Sequence, residues 1–294
     1  MSFREKLKSY FELNGFELAL RLTLLDLLLR PIGNWALRPF TFGLVAVGLV
    51  FPDLLLRAGF WMSLTFITGL RVILDWPLAD NHAYLLSYWC LGVSVALLTQ
   101  DSRNCLALNG RLLIGLAFAF AALWKLALSP DYMDGRFFRI IMLTDSRFEG
   151  VVRLVGGLSP EMLEELRNFV KQHVDAQPFQ MMNIAPQPER FLLIAKIATL
   201  WTVAIETLIA LAFLWPVSKG LSKLRDILLI IFCMTTYAVA PVEDFGWLLI
   251  AMGIAQCEPE RRVTRFIYLA VFFIILFYRE VPWANILLDH LNRE

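Results

Sequence analysis

Apolar residues fill long stretches of the chain, and the polar positions between them are few and grouped. Predominantly apolar runs occur at 58–74, 83–99, 111–128, 192–215 and 264–280. Each approaches the roughly 20 residues that an α-helix needs to cross a bilayer. Shorter apolar runs lie at 41–56, 225–240 and 244–257. The run from Phe16 to Leu29 carries Glu17, Arg21 and Asp26, so it reads either as a first span or as a helix lying in the interface. The pattern predicts an all-α fold: a polytopic transmembrane helix bundle of eight or nine spans over residues 1–280, with a short tail at 281–294.

One stretch breaks the pattern. From about Ser129 to Arg190 the chain turns polar and charged, which predicts an extramembrane insertion. Ser159-Pro160-Glu161 has the composition of a helix start: serine at the cap, proline at the first position and an acid at the positive end of the dipole. Met162, Leu163, Leu166, Phe169 and Val170 follow at helical spacing, so the insertion is itself expected to be helical. Pro178, Pro186 and Pro188 then punctuate a loop.

Composition sharpens the membrane reading. Of 294 residues, 58% are hydrophobic and only 18% charged, with mean hydropathy +0.62. Soluble domains carry about 25% charged residues. The deficit makes the lipid bilayer the expected partner, and a bacterial cell membrane the expected setting. Net charge is +1 and no basic tract suggests nucleic acid. Met1–Glu12 is polar and amphipathic rather than a signal peptide, so insertion is expected to rely on the helices themselves. Cys90, Cys105, Cys233 and Cys257 form no CxxC, which points to buried thiols rather than a zinc site or a disulfide framework.

Loop charges give an orientation. The turns near 100–111, 216–225 and 258–265 carry Arg103, Arg111, Lys219, Lys223, Arg225, Arg261, Arg262 and Arg265. The opposite turns carry Asp75, Asp80, Glu243 and Asp244. Lysine and arginine favour the cytoplasmic side, so the acidic turns and the insertion are expected on the non-cytoplasmic face.

Four groups of polar residues sit where charge is costly. Asp80-Asn81-His82-Ala83-Tyr84 opens the 83–99 run; it reads as a polar helix start with Tyr84 at the headgroup level, or as a site whose histidine acts as a base. Lys125 closes the 111–128 run, either snorkelling to the surface or desolvated and able to exchange a proton. Glu206 lies in mid-run, with a pairing or a functional role. Glu243-Asp244 reads as a solvated turn or as part of a site. Counting spans brings His82, Lys125 and Glu243-Asp244 to one membrane level, which favours a common pocket.

These residues also carry a family resemblance. Leu74-Asp75-Trp76-Pro77 followed by Asp80-Asn81-His82-Ala83-Tyr84-Leu85 resembles the asparagine-histidine-aromatic segment of the vitamin K-dependent gamma-carboxylase membrane domain. Trp124-Lys125-Leu126 and then Asp131-Tyr132-Met133-Asp134-Gly135 resemble its lysine helix and the acidic turn behind it. Glu206 and the segment from Phe232 to Ala251 follow in the same order, so the resemblance covers about Phe16 to Glu258. The wider group is the horizontally transferred transmembrane (HTTM) domain family, which also resembles DoxX-like membrane proteins.

The resemblance implies a chemistry. A lysine deprotonates a reduced naphthoquinone, and oxygen converts the quinone to an epoxide through a strongly basic intermediate. That base removes a γ-proton of glutamate, and carbon dioxide adds. It further implies Lys125 as the base, with His82 and Asn81 positioning or stabilising the reacting groups. Asp80, Tyr84, Glu206, Glu243 and Asp244 would line the pocket. The implied cofactor is reduced vitamin K or another quinone, without a metal. Two features depart from the family. Phe232-Cys233-Met234-Thr235-Thr236 lacks the later-helix histidine, His173 and His290 lying elsewhere, and the chain ends soon after the last apolar run. Two further readings stand beside this one: a DoxX-like quinone-binding or accessory subunit of a membrane redox complex, and a transporter with Lys125 and Glu206 along its path.

Overall fold

The computed structural model describes residues 14–29, 32–174, 187–216, 220–240 and 242–291. Among these there is no strand. The helices run α1 (Gly15–Leu29), α2 (Arg38–Val50), α3 (Ala58–Leu74), α4 (Asn81–Leu98), α5 (Ser102–Leu123), α6 (Pro130–Met133), α7 (Arg136–Thr144), α8 (Glu149–Leu154), α9 (Pro160–Val174), α10 (Glu189–Leu214), α11 (Arg225–Val239), α12 (Glu243–Gln256), α13 (Arg262–Glu280) and α14 (Trp283–Leu291). Met1–Glu12 and Lys219 lie outside the described residues.

Among the described residues, two helices are long and apolar enough to cross a membrane. One is Ser102–Leu128, which is α5 extended by a π-helical turn at Trp124–Leu128, and the other is α10. They have 27 and 26 residues, and only 33% and 39% of their apolar windows are buried. On α5 the uncovered positions include Leu108, Leu112, Leu116, Phe120 and Leu123. These recur every three or four residues, one apolar stripe facing outward from the bundle.

The other apolar runs fold into shorter helices. The run 41–56 breaks after Val50, because Pro52 starts a separate 3₁₀ turn over Pro52–Leu56. α11 and α12 have 15 and 14 residues. At 1.5 Å per residue each is about 21–23 Å long, short of the roughly 30 Å hydrocarbon layer.

α12 is the central helix. Trp247, Leu248, Leu249, Ile250, Ala251, Met252 and Ile254 are all buried, so it is covered on every side. α1, α5 and α13 pack around it. Gly110 of α5 lets two backbones meet: a Cβ there would lie 3.0 Å from the Met252 carbonyl oxygen. α1 is an interior element, not one lying alone at an interface. Ala19, Leu20, Thr23 and Leu24 are fully buried, and the Trp89 indole N–H donates to the Thr23 hydroxyl at 2.8 Å.

The insertion builds a second, smaller core from Ile140, Leu143, Phe148, Val152, Leu163 and Phe191. α9 begins at Pro160, where the Met162 backbone N–H donates to the Ser159 hydroxyl at 3.2 Å. Arg167 of α9 reaches back to the Leu143 carbonyl at 2.7 Å and to Glu149 at 3.0 Å, tying α9 to α7 and α8.

Candidate functional site

Lys125 sits on the π turn that ends the α5 helix. A π turn adds one residue to the local repeat and re-aims the side chains beyond it; such turns recur at functional sites. Lys125 Nζ lies 2.5 Å from both carboxylate oxygens of Glu206 on α10. The two side chains are 13% and 8% exposed, so the pair is largely withdrawn from solvent. Lys125 therefore does not snorkel outward. The Tyr132 ring covers it, with its centroid 5.0 Å from Nζ, within cation–π range. Tyr132 stacks in turn on Phe137 at 4.9 Å. Burial pushes the Tyr132 phenol up, the Thr202 hydroxyl beside it opposes that shift, and the Glu206 charge adds to it.

His82 belongs to a different cluster. Asp80 is the N-cap of α4, and His82 lies in its first turn. His82 Nε2 is 3.0 Å from Asp244 Oδ2 and 3.5 Å from Asp80 Oδ2. Asp244 is in the first turn of α12, so the contact joins two helix starts. Asp26, Arg71, His82 and Asp244 line a cavity of about 10 Å³, the size of one water molecule. Asn81 is exposed and Tyr84 half-buried. Glu243 begins α12, and its side chain lies outside the described part of the structure.

The polar residues are thus brought together in pairs, Lys125 with Glu206 and His82 with Asp244, rather than in one pocket. Phe118 of α5 packs on Phe245, the neighbour of Asp244, with centroids 6.0 Å apart. Lys125 lies two turns beyond Phe118, about 10 Å further along the helix. Lys125 therefore sits well past the level of the Phe118–Phe245 contact along α5. Among the described residues no group of three or more His, Cys, Asp or Glu side chains is arranged to hold a metal ion.

A third polar cluster, at the opposite end of α12, escaped the reading of the sequence. Arg225, placed there among loop charges, is buried, as are Asp226, Ser222 and Gln256. Arg225 Nε donates to Gln256 Oε1 at 2.6 Å, and Gln256 Nε2 donates to Asp226 Oδ1 at 2.5 Å. The Tyr268 hydroxyl donates to the same Asp226 oxygen at 3.0 Å. Arg261 adds a longer contact to Asp226 at 3.5 Å. The cluster clamps α11, α12 and α13 together. The adjacent opposite charges of Arg225-Asp226 at the head of an apolar run were its one visible sign.

In comparisons with protein-family models, curated proteins and solved structures, none matches this chain.

Proposed function

We propose that this chain is a multi-pass membrane protein of eight or nine spans. Its Lys125–Glu206 pair is the proton-exchanging centre of an enzyme acting with a reduced quinone, as the resemblance to the gamma-carboxylase membrane domain implies. The membrane half of this reading rests on the outward apolar stripe of α5 and the low burial of α10. Helices shorter than the hydrocarbon layer fit it where neighbouring protein, not lipid, surrounds them, as around α12. The loop charges direct the Lys125 end toward the non-cytoplasmic face.

The observation that carries the chemical half is the Lys125 ammonium held on the Glu206 carboxylate, roofed by Tyr132, at a π turn. The Glu206 carboxylate is the proton acceptor nearest to Lys125 Nζ, so a proton can pass between them within the pair. The pair can then accept a proton from an acidic hydroxyl such as that of a hydroquinone. Exclusion of water protects any strong base formed next to it.

The deciding experiment supplies purified, folded protein with reduced naphthoquinone and oxygen. Epoxide should form and should vanish in Lys125→Ala. Absence of epoxide from folded protein removes the carboxylase-like mechanism.

A second reading is favoured by the separation of His82 from Lys125: a DoxX-like accessory subunit of a membrane redox complex, in which Lys125–Glu206 is a structural pair. It predicts a stoichiometric redox partner in a pull-down, and full function of that complex with Lys125 and Glu206 both replaced by apolar residues.

A further inference from the structure

A cavity of about 410 Å³ lies between α10 and the turn that leads into α7. That volume falls in the range of small-molecule sites. Lys196 of α10 and Arg139 of α7 both line it. Leu192, Lys196 and Leu200 are spaced four residues apart on α10, so one face presents a cation flanked by two leucines. The leucines are 37% and 55% exposed, and Met133 across the cavity is 44% exposed. The site therefore pairs positive charge with apolar surface that the protein leaves uncovered.

The charge is uncompensated. The carboxylate lining this cavity, Asp134, is engaged by Arg136, whose Nε donates to it at 2.6 Å and whose backbone N–H donates at 2.9 Å. Among the described residues no carboxylate pairs with Arg139 or Lys196. Two other cavities differ. One sets Arg21 beside Glu17 and Asp53, and the other sets Arg71 beside Asp26 and Asp244, so in both an arginine shares the lining with carboxylates.

We propose that this cavity binds the phosphate headgroup of an acidic phospholipid, with an acyl chain along Leu192 and Leu200. Arginine offers a planar fork and lysine a mobile point charge, and together they suit a phosphate oxyanion. The uncovered Leu192 and Leu200 on either side of Lys196 suit an acyl chain joined to the headgroup, whereas a soluble anion makes no use of them. The depth fits as well. Leu192 lies about 5 Å along α10 from its start and Leu200 about 17 Å, so the pair runs from headgroup level into the hydrocarbon, as a headgroup with its acyl chain requires. The site is separate from the Lys125 chemistry, and its test reads binding alone.

Native mass spectrometry of the full chain, released from mixed micelles holding equal phosphatidylglycerol and phosphatidylcholine, tests it. Phosphatidylglycerol adducts should dominate. They should fall about tenfold in Arg139→Gln/Lys196→Gln and persist in Arg139→Lys/Lys196→Arg, which keeps both charges and controls for folding. Equal adducts of the two lipids, or undiminished phosphatidylglycerol in the glutamine variant, overturn the proposal. Equal retention of glycerophosphoglycerol, the soluble headgroup, overturns the assignment to a lipid.

Discussion

Lys125 and Glu206 meet at 2.5 Å although 81 residues separate them in sequence. Each occupies one of the two longest helices, so the contact fixes the height of α5 against α10. A buried ion pair is worth little over an apolar replacement, but breaking it by removing one partner costs about 3–5 kcal/mol. Lys125→Ala should therefore destabilise the protein by about that amount. Lys125→Met/Glu206→Leu should recover most of the loss. Thermal unfolding in detergent, run as a double-mutant cycle, checks this; a double variant as unstable as the sum of the singles would show that the two groups do not act as a pair.

The same method tests the division into two clusters. Among the described residues Lys125 and His82 share no partner, and distant residues without shared partners couple by less than about 0.5 kcal/mol. Lys125→Gln and His82→Gln should accordingly add in stability. His82→Gln and Asp244→Asn should not, because their side chains lie 3.0 Å apart. Coupling between Lys125 and His82 as strong as that between His82 and Asp244 would restore a single pocket.

How much of this was legible beforehand depends on the kind of information each residue carries. The helices at Ala58–Leu74, Asn81–Leu98 and Arg262–Glu280 sit where hydrophobic runs predicted them, because burial of apolar surface is a local property of composition. The start of α9 was legible for the same reason: Ser159 and Pro160 act on the next three residues only. Span counting placed Lys125 and His82 at one end of the bundle but could not pair them. Pairing depends on rotation about each helix axis, which the π turn at Trp124–Leu128 shifts, and no residue type announces such a turn. Arg225 was misread as a loop charge because burial of an arginine depends on Gln256, 31 residues away.

That third cluster makes a prediction of its own. Asp226 accepts from Gln256 and from Tyr268, and faces Arg261. Asp226→Ala leaves the buried Tyr268 hydroxyl and one Gln256 N–H without that acceptor, and takes the nearby carboxylate charge from Arg261. The cost should be about 3–5 kcal/mol, the range for breaking one side of a buried charged network. Tyr268→Phe removes a single donor and should cost only about 1 kcal/mol. Denaturant titration of the folded protein in micelles compares the two. Equal losses would mean that Asp226 matters through Tyr268 alone.

In the insertion, Asp145 supplies a test by pH. Arg147 grips its carboxylate through Nε and Nη2, and the Arg147 backbone N–H donates to it at 3.0 Å. The side-chain hydrogen bonds from Arg147, opposed by partial burial and aided by that backbone bond, hold the Asp145 carboxyl below the usual range. The sign follows from linkage. The unfolded chain takes up a proton at about pH 3.9, before the folded protein does, so the stabilisation is present above that value. It is lost as pH falls through the lower folded value. Asp145→Asn should lower the melting temperature at pH 7 and should narrow the gap to wild type progressively below about pH 4. Melting curves at pH 7, 5, 4 and 3 measure that gap. A gap unchanged from pH 7 to pH 3 would mean that Asp145 acts as a neutral cap on the Ser146–Phe148 turn, with its charge contributing nothing to the hold of Arg147.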